Sequence, residues 1–374
     1  MRGPAVEKLQ RVREELEAMF AERSDVIEGS LIALIARQHV LLVGPPGTAK
    51  SMLADEICRR LDGAQYFQWL LTKFTTPEEL YGAVSLRSLE ADEYRRVTTR
   101  KLPEAHVAFL DEVFKASSSI LNAILTLVNE RLFHNGREIQ PVPLITLFGA
   151  TNELPEEDEL AALYDRFLLR FVVEYVHEEF RFLRMLEWRP PARRTTISLA
   201  ELGALQAEVE SVTVPASVLR RLAEVRRELQ KKDFRVSDRR YRQALSLLRA
   251  RALIEGRPEV TENDLFFLEH VLWRDPPEQA EVRATLRALI RGHEDEVQEL
   301  LFQSRELREY VLREWQTSDQ RDRALLEVHT KLRKILSRVD TILDAARQQG
   351  RPVDRAEAIR AEIVSIEKDM LTSL

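Results

Sequence analysis

The sequence predicts an α/β domain on a mostly parallel sheet, followed by an all-α segment and a C-terminal bundle of three long helices. Three observations carry that expectation. The stretch Gly44-Pro45-Pro46-Gly47-Thr48-Ala49-Lys50-Ser51 follows an apolar run, His39 to Val43, and precedes a helical run, Met52 to Leu61. Strand, glycine-containing loop, Lys-Ser and helix is the layout of a phosphate cradle. Apolar runs then alternate with helical patterns as far as Tyr175, as in a parallel sheet with crossover helices. Past Arg189-Pro190-Pro191 the strand signals largely stop and helical periodicity takes over.

The elements follow in chain order. Val6, Leu9, Val12, Leu16, Met19 and Phe20 recur at helical spacing, and 26–37 forms a second helix that Ser24 or Asp25 can cap. Tyr66 to Leu71 reads as the second strand. Thr76-Pro77-Glu78-Glu79 opens a helix, with proline in the first turn and acid behind it. From Leu80 to Lys101 the pattern breaks into β-like pieces, Ala83 to Leu86 and Tyr94 to Thr98, around a polar tip. That pattern suits a hairpin inserted into or after a helix. Val107 to Glu112 is the third strand and 118–129 a helix, and Asn135-Gly136 between β-like residues marks a hairpin over 131–140. Leu144 to Phe148 gives the fourth strand, ending in Gly149-Ala150-Thr151-Asn152-Glu153, and Phe167 to Tyr175 gives the fifth.

Helices are expected at 215–231, 238–255 and 262–273, the last opened by Thr261 with Asp264 as a near capping box. Beyond Pro276-Pro277 come three amphipathic segments. The first spans about 281–315, the second carries Leu325, Val328, Leu332, Ile335, Val339, Ile342 and Ala346, and the third Ile359, Ile363, Ile366 and Met370. An antiparallel three-helix bundle is the expected arrangement, with a seam for another chain as the alternative. The expected domains are an α/β core over 1–190, an all-α lid over 191–276 and a triple-helical domain over 277–374.

Composition bounds the function. With 374 residues, 44% hydrophobic and 32% charged, the chain reads as a soluble, helix-rich globular protein. A net charge of -6 gives no electrostatic reason to expect nucleic acid, and pairs such as Arg220-Arg221 and Lys231-Lys232 read as solvated faces. Cys58, the lone cysteine, reads as core packing beside Leu53, Ile57 and Leu61 and excludes an intrachain disulfide. No apolar run reaches the length of a membrane span, and the N-terminus is a charged amphipathic helix rather than a signal peptide. The cytoplasm is the expected compartment.

The residues with chemistry sit on the strand ends. Backbone N–H groups from Gly44 to Ser51 would hold a polyphosphate, with Lys50 on its β- and γ-phosphates and the Ser51 hydroxyl on Mg²⁺. Ala49 stands where the usual pattern has glycine, at a position read as beginning to turn into the helix. Asp111 closes the third strand, where its carboxylate can order Mg²⁺ with Ser51, and Glu112 can orient and deprotonate an attacking water. Asn152 ends the adjacent strand and could hold that water or a γ-phosphate oxygen; a turn asparagine is the plainer role. Arg166 precedes the fifth strand and could reach a neighbouring subunit's nucleotide. Arg239 lies in the first turn of a helix capped by Ser237, where helix N-terminus and guanidinium both favour phosphate. Surface ion pairing is the plainer role for either arginine.

The motifs GPPGTAKS, VAFLDE, FGATNE, LYDRF and VSDRR, in that order, resemble the AAA+ ATPases of the MoxR family, most of all its regulatory ATPase variant A branch. The resemblance spans the first 275 residues and includes Thr75-Thr76-Pro77-Glu78-Glu79, Leu102-Pro103-Glu104-Ala105 and Asn152-Glu153-Leu154-Pro155. Ala49 agrees with it, since the family often has alanine before the lysine. It implies Walker roles for Lys50, Ser51, Asp111 and Glu112, sensor 1 for Asn152, an arginine finger acting in trans for Arg166, and sensor 2 for Arg239 with Arg240 as the fallback. It also implies ATP and Mg²⁺, a nucleotide site at the subunit interface of a hexameric ring, and chaperone-like remodelling of a protein client beside a von Willebrand factor A partner. The irregular 80–101 and the Asn135-Gly136 hairpin match family elements that face a ring's pore. The β-rich module of the branch has no counterpart, since only Thr317 to Gln320 stand in its place.

Two other functions compete. A nucleotide-gated assembly scaffold would need Lys50 but neither Glu112 nor Arg166. A nucleic-acid motor is disfavoured by the acidic balance and by the lack of aromatic–basic grooves. Val26 and Ile27, just ahead of the loop strand, are the candidates for adenine contact.

Overall fold

The computed structural model describes residues 3–154, 158–188, 194–290, 293–312, 315, 318–348 and 353–371. The boundary read at Arg189-Pro190-Pro191 and the breaks at Thr317 and Gly350 lie outside them. The chain forms two compact units, Met1–Thr285 and Leu286–Leu374.

The first unit opens with α1 (Pro4–Met19), whose Val6, Leu9, Val12, Leu16 and Met19 are buried along one face as their spacing predicts. Next comes α2 (Ser24–Ala36), buried almost all round. The core continues through β1 (His39–Val43), α3 (Lys50–Arg59), β2 (Leu61–Asp62), β3 (Tyr66–Leu70), α4 (Pro77–Tyr81), α5 (Leu86–Leu89) and β4 (Val107–Asp111). After these come α6 (Ser118–Glu130), β5 (Leu132–Asn135), β6 (Glu138–Pro141), β7 (Thr146–Thr151), α7 (Asp158–Arg166), β8 (Phe167–Val172) and α8 (Glu179–Glu187). A helical region follows, with β9 (Ile197–Ser198), α9 (Leu199–Glu208), α10 (Ala216–Lys231), α11 (Asp238–Ile254), a 3-10 run (Glu262–His270) and most of α12 (Glu278–Leu289), whose residues from Leu286 on belong to the second unit.

Five strands pair in the order β3-β4-β7-β1-β8, every pair parallel. Helices cover both faces, so the strands are buried on both sides; this is why β1 and β4 read as unbroken apolar runs. The fourth strand runs over Thr146–Thr151 rather than 144–148. Gly149 and Ala150 look like turn residues, yet they occupy a central strand: a Cβ on Gly149 would sit 2.6 Å from the Phe167 ring. The fifth strand ends at Val172, short of Tyr175.

The segment after α4 makes one antiparallel bridge, Val84 to Arg96, around α5, instead of a full hairpin. It is joined to the β5–β6 hairpin by Asn135. That buried amide accepts the Arg96 N–H at 2.7 Å and donates to the Arg96 carbonyl at 3.1 Å. Next to it, Gly136 has φ +68, and a Cβ there would lie 1.9 Å from the Tyr94 carbonyl oxygen.

In the helical region, Thr261 and Asp264 form the expected capping box, but they open a 3-10 run instead of an α-helix. The short parallel pair β2–β9 and the helices α7, α8 and α9 have no counterpart in the sequence reading.

The second unit packs α13 (His293–Leu312), α14 (Ser318–Gln348) and α15 (Asp354–Leu371) together as the expected bundle. Leu325, Val328, Leu332, Val339 and Ala346 are buried, as are Ile359, Ile363, Ile366 and Met370. Ion pairs Arg347–Glu357 at 2.7 Å and Arg360–Asp340 at 2.5 Å run α14 antiparallel to α15. The first segment, read as continuous over 281–315, is divided between α12 and α13. Among the described residues no helix is long and apolar enough to cross a membrane.

Candidate functional site

The carboxyl ends of β1, β7 and β4 lie side by side, locked by the loops that leave them. Gly44 N–H donates to the Thr151 carbonyl at 2.9 Å, and Val113 N–H to the Ala150 carbonyl at 3.0 Å. The Gly44–Ser51 loop, the Asp111-Glu112 pair and Asn152 therefore share one edge of the sheet, where open α/β sheets bind ligands. A Cβ on Gly44 would lie 2.0 Å from the Val173 carbonyl oxygen, so the loop can leave β1 beside β8 only without a side chain.

Ala49 has φ 63 and ψ 24, left-handed backbone at the N-cap of α3. It is not yet turning into the helix: it holds the conformation that glycine adopts freely, and alanine there costs about 1 kcal/mol. The first N–H groups of α3 face no intrahelical carbonyl, and no side chain caps them. They present donors at the positive end of a helix. Lys50 Nζ curls back to donate to the Gly44 carbonyl at 2.8 Å and the Pro45 carbonyl at 2.7 Å. Thr48 Oγ1 donates to the same Pro45 carbonyl at 3.0 Å. Burial lowers the Lys50 pKa, while Asp111 and then Glu112 pull it back up, so ammonium and carboxylates share one field. Ser51 follows, half-buried in the first turn of α3.

Asp111 is the last residue of β4, and its Oδ1 accepts the Glu112 N–H at 3.1 Å. Glu112 also has left-handed backbone, φ 51. Lys115 Nζ stands 3.2 Å from Glu112 Oε2 but outside hydrogen-bonding geometry, so that buried oxygen accepts no hydrogen bond. A carboxylate oxygen that accepts no hydrogen bond from the protein can orient a water. The oxygen donors of Ser51 and Asp111 suit a hard cation such as Mg²⁺. Asn152 is exposed just past β7, in a turn where Thr151 Oγ1 accepts the Glu153 N–H at 3.2 Å.

The arginines part company. Arg166 ends α7, and the next residue, Phe167, pairs with His39, the first residue of β1. Arg166 thus lies at the amino edge of the sheet, opposite the loop, with the length of β1, about 15 Å, in between. It is half-buried, and its side chain makes no hydrogen bond or ion pair with another described residue. Arg239 is exposed on the first turn of α11, where Ser237 Oγ accepts the Arg240 N–H at 3.2 Å as the expected cap. Arg240 is buried, and its guanidinium is fully engaged. It donates to the carbonyls of Val271 at 2.5 Å, Phe167 at 3.0 Å, Leu168 at 2.6 Å and Asp165 at 3.3 Å, and to Asp165 Oδ1 at 3.2 Å. A guanidinium so occupied has no donor for a phosphate, which removes Arg240 as the fallback for Arg239.

Val26 and Ile27 are 5% and 0% exposed, leaving no surface for a base. Two further residues stand beside the loop without belonging to any of its motifs. Tyr175, its ring exposed, donates its hydroxyl to the Pro46 carbonyl at 3.2 Å. Its signal was an aromatic just past the strand beside β1. Arg23 is buried between the Glu22 carbonyl at 2.9 Å and that of Glu174, and its charge is felt at Lys50. Nothing in the sequence distinguished it from other arginines.

A glycine-bearing loop on β1, carboxylates on β4 with β7 between the two strands, and a helical region after the sheet define a P-loop nucleotide-binding protein of the AAA+ class. A family model described as the MoxR domain in the MoxR-vWA-beta-propeller ternary systems matches residues 7–206, and one for the AAA lid domain matches residues 217–286. The chain belongs to the MoxR family of AAA+ ATPases. It is similar to two uncharacterised proteins of Methanocaldococcus jannaschii. One is 42% identical over 273 residues, covering 72% of this chain and 70% of the relative. The other is 41% identical over 275 residues, covering 72% of each. Chaperone MoxR1 of Mycobacterium tuberculosis is 28% identical over 209 residues, 54% of each chain. A solved structure from Cytophaga hutchinsonii, provisionally assigned as an ATPase, shares the fold with a TM-score of 0.61 at 17% identity, covering 77% of this chain and 95% of that one.

Proposed function

We propose that this chain hydrolyses ATP at the subunit interfaces of a hexameric ring and uses the cycle to remodel or assemble a protein client. The reading is carried by one convergence: Lys50 Nζ, held 2.8 Å and 2.7 Å from loop carbonyls, stands in the field of Asp111 and of Glu112, whose buried Oε2 accepts no hydrogen bond.

Lys50 and the uncapped N–H groups of α3 would exchange loop carbonyls and solvent for the phosphates of ATP. Ser51 and Asp111 would hold Mg²⁺, which when bound neutralises charge on the β- and γ-oxygens. Glu112 would take the proton of the attacking water, and Asn152 would fix that water or a γ-oxygen. Arg166 lies too far from its own loop, so it would meet charge developing on a neighbour's γ-phosphoryl group, while Arg239 would approach from the lid. A von Willebrand factor A partner is supported by the description of the matching family model, which couples such a protein and a β-propeller to the MoxR domain. Chaperone-like action is supported by the name of the mycobacterial relative. The finer likeness to regulatory ATPase variant A is supported by motif order and the C-terminal helices.

Phosphate release and nucleotide retention, measured on the native chain and on Glu112→Gln, test the reading, with mass measurement at each nucleotide condition. Glu112→Gln is expected to retain ATP without releasing phosphate, and the native chain to form a larger assembly with ATP. Phosphate release by Glu112→Gln at the native rate would overturn it.

A further inference from the structure

We propose that Arg240 is a positioning residue that ties the orientation of α11, which carries Arg239, to the placement of Arg166, so that one subunit's lid sets the arginine offered to the next subunit. The proposal rests on the reading of Arg166 as acting in trans.

The first turn of α11 holds two adjacent arginines in opposite surroundings. Arg239 is exposed, and Arg240 is 3% exposed. Three of the carbonyls that Arg240 holds belong to Asp165, Phe167 and Leu168, on either side of Arg166. The Asp165 carbonyl lies in the last turn of α7, where helix carbonyls lack intrahelical partners, and the other two lie at the start of β8. Arg240 thus closes the α7–β8 junction from the side of the lid helix.

A second guanidinium repeats the contact. Arg170 Nη2 donates to the Tyr164 carbonyl at 3.1 Å, Arg170 Nη1 donates to the Trp273 carbonyl, and its guanidinium lies 3.8 Å from the Tyr164 ring centroid. The Tyr164 hydroxyl donates to the Arg274 carbonyl. Residues 164–168 are therefore clamped to α11 and to 271–274 by two buried cations, with Asp165 the carboxylate that meets Arg240. Burial, and then the charge of Arg240, pushes Arg170 down to about 9.

The energetics make the clamp stiff. A buried guanidinium stripped of its partners is left as an uncompensated charge away from water. The carbonyls flanking Arg166 therefore cannot separate from α11 without stranding a charge. A turn of α11 as a rigid element moves the junction with it, which is how packed elements pass small displacements onward. A clamp that served stability alone would leave a neighbouring subunit's chemistry untouched.

Mixed assemblies separate these roles. Lys50→Ala subunits keep Arg166 but have a dead site, and Arg166→Ala subunits keep a live site but offer no guanidinium. Mixed, they should regain ATP hydrolysis at live sites that face an intact Arg166. Arg240→Met is then added to the Lys50→Ala subunits alone. The mixture is expected to lose about tenfold to a hundredfold in kcat, since small misplacements of a catalytic group cost that much. KM for ATP should stay unchanged, because every working site has its native Arg240. Arg240→Lys in the same place should recover part of the loss. Unchanged kcat would overturn the proposal. If the unsubstituted mixture is no more active than its components, the trans reading of Arg166 fails instead, and the proposal falls with it. Thermal melts and assembly mass report whether Arg240→Met subunits fold and enter the mixture. If they do not, Arg240→Lys and Asp165→Asn take the same place, and a kcat unchanged by both overturns the proposal.

Discussion

The Lys50 ammonium donates to the carbonyl of Pro45 at 2.7 Å, on the loop that its own backbone closes. The same donor is the one placed to meet a phosphate, so removing it costs both loop closure and ligand charge. Lys50→Ala is expected to lower ATP turnover by about a hundredfold or more, in line with the loss of a preorganised donor. Phosphate release measured at saturating ATP checks this, and turnover at the native rate would refute the site.

Ala49 carries a strain that glycine would not, with φ 63 at the N-cap of α3. Ala49→Gly is expected to raise stability by about 0.5 kcal/mol, the relief of positive φ less what glycine gains in unfolded-state freedom. Ala49→Val should lower it, since a β-branched residue resists positive φ more strongly. Denaturant midpoints of the three chains should fall in the order Gly, Ala, Val.

Gly44 is needed for a different reason, the approach of the Val173 carbonyl to 2.0 Å from where a Cβ would stand. That contact is backbone and cannot rotate away. Gly44→Ala should destabilise by about 1–3 kcal/mol as β8 is pushed from β1. The same change at Gly47, around which nothing lies within 4 Å, should disturb packing less; its φ of +80 still strains an alanine. Thermal melts compare the two.

His39 gives the fold a dependence on acid. Its Nδ1 accepts the Leu147 N–H at 3.0 Å, and burial, then the charge of Arg131, lowers its pKa from the ordinary 6.5 to about 3. The unfolded chain takes up that proton below pH 6.5, and the folded one resists it. The stabilisation is therefore complete above 6.5 and is lost as pH falls from there towards 3. The stability difference between the native chain and His39→Gln should shrink by about 1.4 kcal/mol per pH unit over the upper part of that window. A difference flat from pH 7 to roughly 4.5 would contradict it.

Much of this was legible because local chemistry and tertiary fold agree at the loop: glycines, Lys50 and Ser51 stand between a short apolar strand and a helix. Where the two part, reading along the chain failed. Gly149-Ala150-Thr151 resembles a turn and became the end of a central strand, since neighbours on both sides supply hydrogen bonds and Phe167 leaves room only for a small residue. Arg239 and Arg240 were indistinguishable by type and spacing, and only packing separates the exposed one from the buried one. The helices α7 and α8 are short, nine residues each, too brief for periodicity to stand out.

Asn135 offers its amide to Arg96 as a neighbouring peptide would, giving and receiving one hydrogen bond each. The return limb of the 83–98 excursion is thereby stitched to the β5–β6 hairpin although no strand runs between them. Two surface segments far apart in sequence are thus tied to one another, one rooted beside α4 and the other leading through β7 to Asn152.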